Sequence, residues 1–319
     1  MSCFVSCFFK FQIQEIEMTK FARFFLHILG SVFLAAVPSL AQQVISIPKP
    51  VDGWANTVNA AKPNSVFLLG PGVFHTSIPI SISAVDVVLA GAGARTTTIV
   101  ADAAMPALIQ STSRFVSLRD IVVDANHLAG MAIHEVMPTA PDTKALEGVL
   151  AKNAITDGIV IEGCQLCTFD GVTSIRNGRD GIIFAGCNGS IALGVSSSWN
   201  GGRGIVLRSS VLIGVQFSGG MTMIGANAES NGAVQIEVEN TSSAVMIENP
   251  WIEVGQTDTD GIRIEAPHVT IFGGRISGRS LDGKVAAVHL MGDGKNASIE
   301  GNVQMGNRTA FSDFARIAR

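Results

Sequence analysis

The 319 residues carry a formal net charge of −4, with 47% hydrophobic and only 15% charged side chains, 34 glycines and no tyrosine. So apolar and weakly charged a chain is not disordered. Its slight acidity argues against a nucleic-acid partner, which requires a basic stripe to meet phosphates.

The chain starts with a segment set apart from the rest. Met18 to Arg23 is short and basic, Phe24 to Val37 is apolar, and Ser39-Leu40-Ala41 puts small residues at −3 and −1 of a cut after Ala41. That is the layout of a secretory signal peptide. The competing reading, a buried or membrane helix, suffers from a run short for a span and from the lack of a stop-transfer pattern. Met18 reads as the start and Met1–Glu17 as an upstream addition. The expected organisation is a signal peptide over 1–41 and one domain over 42–319, exported to the periplasm or beyond. No later run reaches about 18 apolar residues, so no membrane span is expected in the mature chain.

Trp54 to Ala61 reads as one short helix, followed by a strand at Val66–Leu69 and a turn at Gly70-Pro71-Gly72. Beyond them the chain repeats. Asp157-Gly158-Ile159-Val160-Ile161-Glu162-Gly163-Cys164 returns 23 residues later as Asp180-Gly181-Ile182-Ile183-Phe184-Ala185-Gly186-Cys187. A third copy starts at Arg203, further ones at Val234, Asp260 and Ala286, and an earlier one at Ala129, at spacings of 23–31 residues. Each copy holds two apolar residues two apart: Met131 and Ile133, Ile159 and Ile161, Ile182 and Phe184, Ile205 and Leu207, Ile236 and Val238, Ile262 and Ile264, Val288 and Leu290. Such pairs point to one side of a strand. The spacing is too short for helical crossovers, so each copy is one coil of short strands stacked on the next: a parallel β-helix, all-β, single-stranded and capped by the Trp54 helix. Asn126, Asn177, Asn200 and Asn231 stand three residues before their copies, suited to left-handed bends and to amide ladders between coils. Residues 135–156, with Pro138 and Pro141, read as a loop over one face, and the coil from Ile205 to Ile236 as extended.

Lys62-Pro63-Asn64-Ser65-Val66-Phe67-Leu68-Leu69-Gly70-Pro71-Gly72-Val73-Phe74 resembles the opening motif of the pectate-lyase-like right-handed β-helix superfamily, and Val88 to Ile99 resembles its second coil. The resemblance implies the right hand of the spiral. It covers nearly all of 42–319 but leaves the activity open, because the superfamily spans lyases, hydrolases, epimerases, tailspikes and non-catalytic proteins.

With the apolar pairs inward, alternate residues face out. One outer row reads Ala132, Val160, Ile183, Val206, Glu237, Arg263, His289, and the next His134, Glu162, Ala185, Arg208, Glu239, Glu265, Met291. Coils lie about 4.8 Å apart, so row neighbours touch. From Arg208 onward the rows turn ionisable, and Glu237, Glu239, Asp260, Arg263, Glu265 and His289 form one expected catalytic patch, flanked by Asp258. Paired carboxyls suit glycoside hydrolysis. A base beside a cation, either Arg263 or a calcium ion held by Glu237, Glu239 and Glu265, suits uronate elimination. The plainer reading is a solvated face stitched by salt bridges. Asp258-Thr259-Asp260-Gly261-Ile262 resembles a polygalacturonase segment in which the Asp is catalytic. The partner motifs of that family are missing, which makes Asp260 coil punctuation like Asp157 and Asp180.

Cys164 and Cys187 fall one coil apart, as a bridge or as stacked thiols, and the pair Cys164 and Cys167 lacks the strand–helix context of a redox motif. Trp199 and Trp251 are the tryptophans free to be exposed, and three in all is few for a long sugar groove. The sequence reads as an exported β-helix acting on a polysaccharide, as a lyase or hydrolase, with a non-catalytic glycan-binding or structural surface protein as the alternative.

Overall fold

Alternating apolar residues at a 23-residue period give the chain no way to bury its core except by winding. The computed structural model describes residues 42–319 apart from 94, 137–144, 211, 213, 215–217, 256–258, 279–284, 302, 308–316 and 319. The expected leader and Asp258 lie outside the described residues. Among those described, strands form three parallel sheets of eleven, ten and ten and a small two-stranded one, Ser218–Gly219 with Ser242–Ser243, and each regular coil gives one strand to each large sheet. The helix Trp54–Asn59 and the 3-10 turn Gly292–Asn296 are the described exceptions.

The predicted column is present. Ile159 pairs with Ile182, Ile182 with Ile205, Ile205 with Ile236, Ile236 with Ile262 and Ile262 with Val288, all in parallel register. These side chains are buried in one continuous core with Phe169 and Phe184, whose ring centroids lie 4.8 Å apart. At the N-terminal end Trp54, Ala55 and Val58 are buried over the column. Trp54 meets Phe74 edge-on at 5.2 Å and donates its indole N–H to the His75 carbonyl at 2.7 Å. The short helix is therefore the cap that an open apolar column needs.

Two expectations change. Ile133, not Met131, pairs with Ile159, so the copy at Ala129 is displaced by two residues. His134 thereby takes the place given to Ala132 beside Val160, and Val136 takes that of His134 beside Glu162. Part of the expected loop at 135–156 is regular coil: the strand Ala129–Val136 runs into it, and Ala145–Glu147 and Leu150–Lys152 join their sheets, while Pro138 and Pro141 lie outside the described residues.

The asparagines ladder as expected. Asn177 Nδ2 donates to Asn200 Oδ1 at 2.8 Å, Asn200 Nδ2 to Asn231 Oδ1 at 2.8 Å, and Asn231 Nδ2 to Gln235 Oε1 at 2.8 Å. Their left-handed role is different. Asn126 adopts positive φ, but in the three later coils the bend falls one residue earlier, at Arg176, Trp199 and Ser230. Asn177, Asn200 and Asn231 turn inward and are buried. The glycine after each Asp makes room for them: a Cβ on Gly181 would collide with Ser197 Oγ and lie 2.6 Å from Asn200 Nδ2.

The cysteine expectation is also corrected. The bridge joins Cys164 to Cys167, with Cα atoms 6.1 Å apart, and Cys187 is a buried thiol in the next coil. Leu166, between them, takes a positive φ of 56°, and the bend folds Cys167 back toward Cys164.

Candidate functional site

On the outside of the sheet that begins at Ile80–Ile82, the first row runs His134, Val160, Ile183, Val206, Glu237, Arg263, His289. In the second row Glu162, Ala185 and Arg208 are paired strand positions. Glu239, Glu265 and Met291 continue it through N–H bonds to the carbonyls of Leu207, Val238 and Ile264. The middle of this face is closed. Val160, Ile183, Ala185 and Val206 are buried in a second apolar cluster with Met131 packed against it. The Ser210 hydroxyl donates to Glu162 Oε2 two coils away, past Ala185.

Beyond Val206 the face is an ionic lattice. Arg203 donates to Asp180 Oδ2 through Nε and Nη2, at 3.1 and 2.7 Å. Its Nη1 reaches Glu237 Oε2 at 2.6 Å and Glu239 Oε1 at 2.8 Å. Arg263 Nη1 meets the other Glu237 oxygen at 3.2 Å, while its Nε and Nη2 lie 3.2 and 3.0 Å from Asp260 Oδ2. His289 Nδ1 is 3.0 Å from that same oxygen. The carboxylates lie beneath the cations: side-chain exposure is 5% for Asp180, 8% for Glu237 and 2% for Asp260, against 26% for Arg203, 33% for Arg263 and 29% for His289. Burial opposes the Arg203 charge, yet Asp180, Glu237 and Glu239 outweigh it and hold the guanidinium above its ordinary range.

Five of the six expected site residues therefore meet in this lattice: Glu237, Glu239, Asp260, Arg263 and His289. Glu265 follows Glu239 in the second row and takes no part in the ion pairs among the described residues. Asp260 does two things at once. Its Oδ1 accepts the Ala286 N–H of the next coil at 2.9 Å, as Asp157 and Asp180 accept from Asp180 and Arg203, and its Oδ2 orients His289. Arg203 is the residue that the sequence reading passed over. Its signal is a charge reversal, because it stands where the two preceding copies have Asp157 and Asp180. Arg208, which opens the polar part of the second row, forms no ion pair among the described residues and keeps a buried Nε without an acceptor.

The donor set does not suit the expected calcium ion. Arg203 sits between Glu237 and Glu239, and no three His, Cys, Asp or Glu side chains converge as ligands among the described residues.

At the other end of the row His134 Nε2 lies 3.4 Å from Glu162 Oε1. The hydrogen bond with His134 lowers the Glu162 pKa below its ordinary 4.5; burial opposes it, while Ser210, the His134 charge and Arg208 support it. For Asp124 burial raises the pKa, and Lys152, Asn153 and the Asn126 N–H overcome it to leave a net lowering. A depressed carboxylate stabilises the fold above its unfolded pKa, and that contribution disappears as pH falls through the folded value. Urea midpoints are thus expected to hold steady down to the ordinary carboxylate range and drop below it. In E162Q/D124N the native midpoint at neutral pH should be lower and the acid decline shallower; an unchanged acid slope would refute the assignment.

The family model described as "Right handed beta helix region" matches residues 146–308. Among solved structures, the Azotobacter vinelandii mannuronan C-5 epimerase AlgE4 A-module superposes with a TM-score of 0.56 at 14% identity, over 85% of this chain and 94% of that one. The AlgE6 A-module of the same epimerase group and organism gives 0.54 at 18% identity, over 82% and 85%. An alginate lyase from Paenibacillus sp. str. FPU-7 gives 0.52 at 14%, over 85% and 100%. At these identities the likeness is one of fold. No curated protein matches the chain in sequence. Among the described residues no helix is long and apolar enough to cross a membrane.

Proposed function

The chain belongs to the right-handed β-helix family, and from that premise we propose that it acts on a uronate-bearing polysaccharide by removing the proton beside the sugar carboxylate. The observation that carries this reading is His289, held through Nδ1 on buried Asp260 with the rest of its ring partly exposed beside Arg263. With Asp260 accepting a hydrogen bond from Nδ1–H, the other ring nitrogen, Nε2, carries the lone pair. Nε2 takes the C5 proton. The electron pair passes into the carboxylate as an enolate, and the partly exposed guanidiniums of Arg263 and Arg203 supply positive charge where that charge develops. From the enolate, expulsion of O4 breaks the glycosidic bond and leaves a C4–C5 double bond, the departing oxygen taking a proton from the His289 imidazolium or from water. Delivery of a proton from water to the opposite face of C5 instead gives the epimer, and His289 then returns its proton to solvent. The two outcomes share the first step.

Hydrolysis fits less well. A hydrolase presents one carboxyl to the glycosidic oxygen and another to water or the anomeric carbon. Here both Glu237 oxygens face guanidinium donors, and both Asp260 oxygens are occupied. The substrate class to test first is the one named for the structures above, whose titles are mannuronan epimerase and alginate lyase. The expected leader agrees with this reading, since such polymers lie outside the cytoplasm.

The test is incubation of the protein with alginate, polygalacturonate and a neutral glucan, with and without EDTA. Unsaturated uronate ends, or a changed uronate ratio by NMR, are expected on an acidic polymer alone and equally in EDTA. The closed strip from Val160 to Val206 favours a second reading, retention without turnover. It would be selected by binding that E237Q leaves intact and by no product on any polymer.

A further inference from the structure

The third sheet, which begins at Gly72–Thr76, carries two exposed tryptophans that the lattice does not use. Trp199 is 52% exposed and Trp251 45% exposed. Each has a guanidinium over its ring: Arg176 Cζ lies 5.5 Å from the Trp199 centroid and Arg275 Cζ 5.0 Å from that of Trp251. Both arginines are exposed, and neither has a carboxylate partner among the described residues.

Register fixes how the two pairs relate. Ser196, Asn227, Trp251 and Arg275 follow one another in a single outer row. Trp199 comes three residues after Ser196, so the indoles are two coils apart, about 10 Å along the axis. Arg176 belongs to the coil before Trp199, and Arg275 to the coil after Trp251. The coil between carries Asn227, Glu229 and Ser230, all partly exposed. Two exposed indoles, each stacked with an exposed guanidinium that has no carboxylate partner among the described residues, form a strip in which the arginines at its two ends complement a sugar ring carrying negative charge. Indole takes the C–H face of a pyranose, and arginine takes a carboxylate as a fork.

We propose that Trp199, Trp251, Arg176 and Arg275 form a glycan-binding strip for an acidic polysaccharide, separate from the lattice around Arg203. The ligand class follows from the arginines, and the strip stands whether or not His289 turns substrate over. Holding a polymer chain here raises its local concentration along the β-helix without adding a contact at the lattice.

Affinity electrophoresis of the full chain through gels containing alginate, polygalacturonate or dextran, with titration of acidic oligosaccharides followed by tryptophan fluorescence, tests the strip. Retardation is expected in an acidic polymer and not in dextran. W199A and W251A should each weaken binding about three- to tenfold, and the double variant up to about a hundredfold. W199F/W251F should recover part of the loss, and R176Q/R275Q should abolish the preference for acidic over neutral polymer. Binding lost in W199A/W251A while short acidic oligosaccharides are still turned over, or native binding with no turnover at all, separates the strip from the catalytic reading. Equal binding by native and W199A/W251A protein with unchanged far-UV circular dichroism, equal retardation in dextran, or no retardation in any acidic polymer would each overturn the proposal.

Discussion

Replacing His289 by Gln is expected to lower turnover on the polyuronate substrate by about a hundredfold to ten-thousandfold, the range for loss of a positioned general base. Gln keeps much of the side-chain volume and a hydrogen bond to Asp260, but it has no nitrogen lone pair for the C5 proton. The side chain is partly exposed and its one hydrogen bond among the described residues is to Asp260, so stability should hardly move. The loss should fall on kcat, with KM little changed, because sugar contacts elsewhere on the face remain. D260N is the positioning control: with its remaining oxygen kept on the Ala286 N–H, its NH2 turns a donor toward His289 Nδ1 and Arg263, and the acceptor that fixes the tautomer is lost, so it should lower both rate and stability. Native turnover in H289Q would remove the proposed base from the mechanism.

The architecture was legible because a solenoid writes its repeat into the chain. Isoleucine recurs at 159, 182 and 205, and the structure stacks those residues. The one error of register shows what periodicity does not encode. A shift of one residue would have turned the Ala129 copy inside out, whereas a shift of two leaves every side chain on the same face. Ala129, Met131 and Ile133 alternate as apolar residues, so either pairing keeps apolar side chains inward, and the observed one also turns Glu135 inward beside Ile161. Gly130 imitates the glycine of the later copies, but its carbonyl takes the N–H and hydroxyl of Thr156 rather than making room for an asparagine. The first coils, such as the one holding Ile80–Ile82, lack the Asp-Gly-Ile signature and leave no repeat to count.

For the site, row membership was readable and pairing was not. Glu237, Arg263 and His289 share a row because their spacings are the coil spacings. Asp260 was correctly read as punctuation, yet the same carboxylate also orients His289, and no motif separates the two uses. Arg203 lies off the strand, and its reach to both Glu237 and Glu239 depends on side-chain length across a coil of 31 residues. The Ser210–Glu162 hydrogen bond joins residues 48 apart in the chain, which no coil spacing announces. The Cys164–Cys167 bridge depends on a local bend at Leu166 that residue type does not announce.

The second large effect is on stability. Asn200→Ala is expected to cost about 3–5 kcal/mol, because it strands buried groups on both sides of one coil interface. Asn200 Oδ1 accepts both the backbone N–H of Asn177 at 3.0 Å and its Nδ2 at 2.8 Å. Its own Nδ2 donates to Asn231 Oδ1 and to Ser197 Oγ. With alanine the Asn177 N–H loses its acceptor in a site closed to water, and the space left is too polar to collapse cheaply. Asn200→Asp should be nearly as damaging, since it keeps the acceptor but places a carboxylate against Asn231 Oδ1. Asn227→Ala, on the outer face, should change stability by roughly 0.5 kcal/mol or less. The location matters as much as the size. A solenoid is held by interfaces between neighbouring coils, so weakening one of them decouples the coils on either side. Urea unfolding of N200A should therefore separate into two transitions, one followed by Trp54 at the cap and one by Trp251 beyond the break. A single transition at the native midpoint would show that the amide ladder contributes little, and the column of isoleucines would then have to account for the register alone.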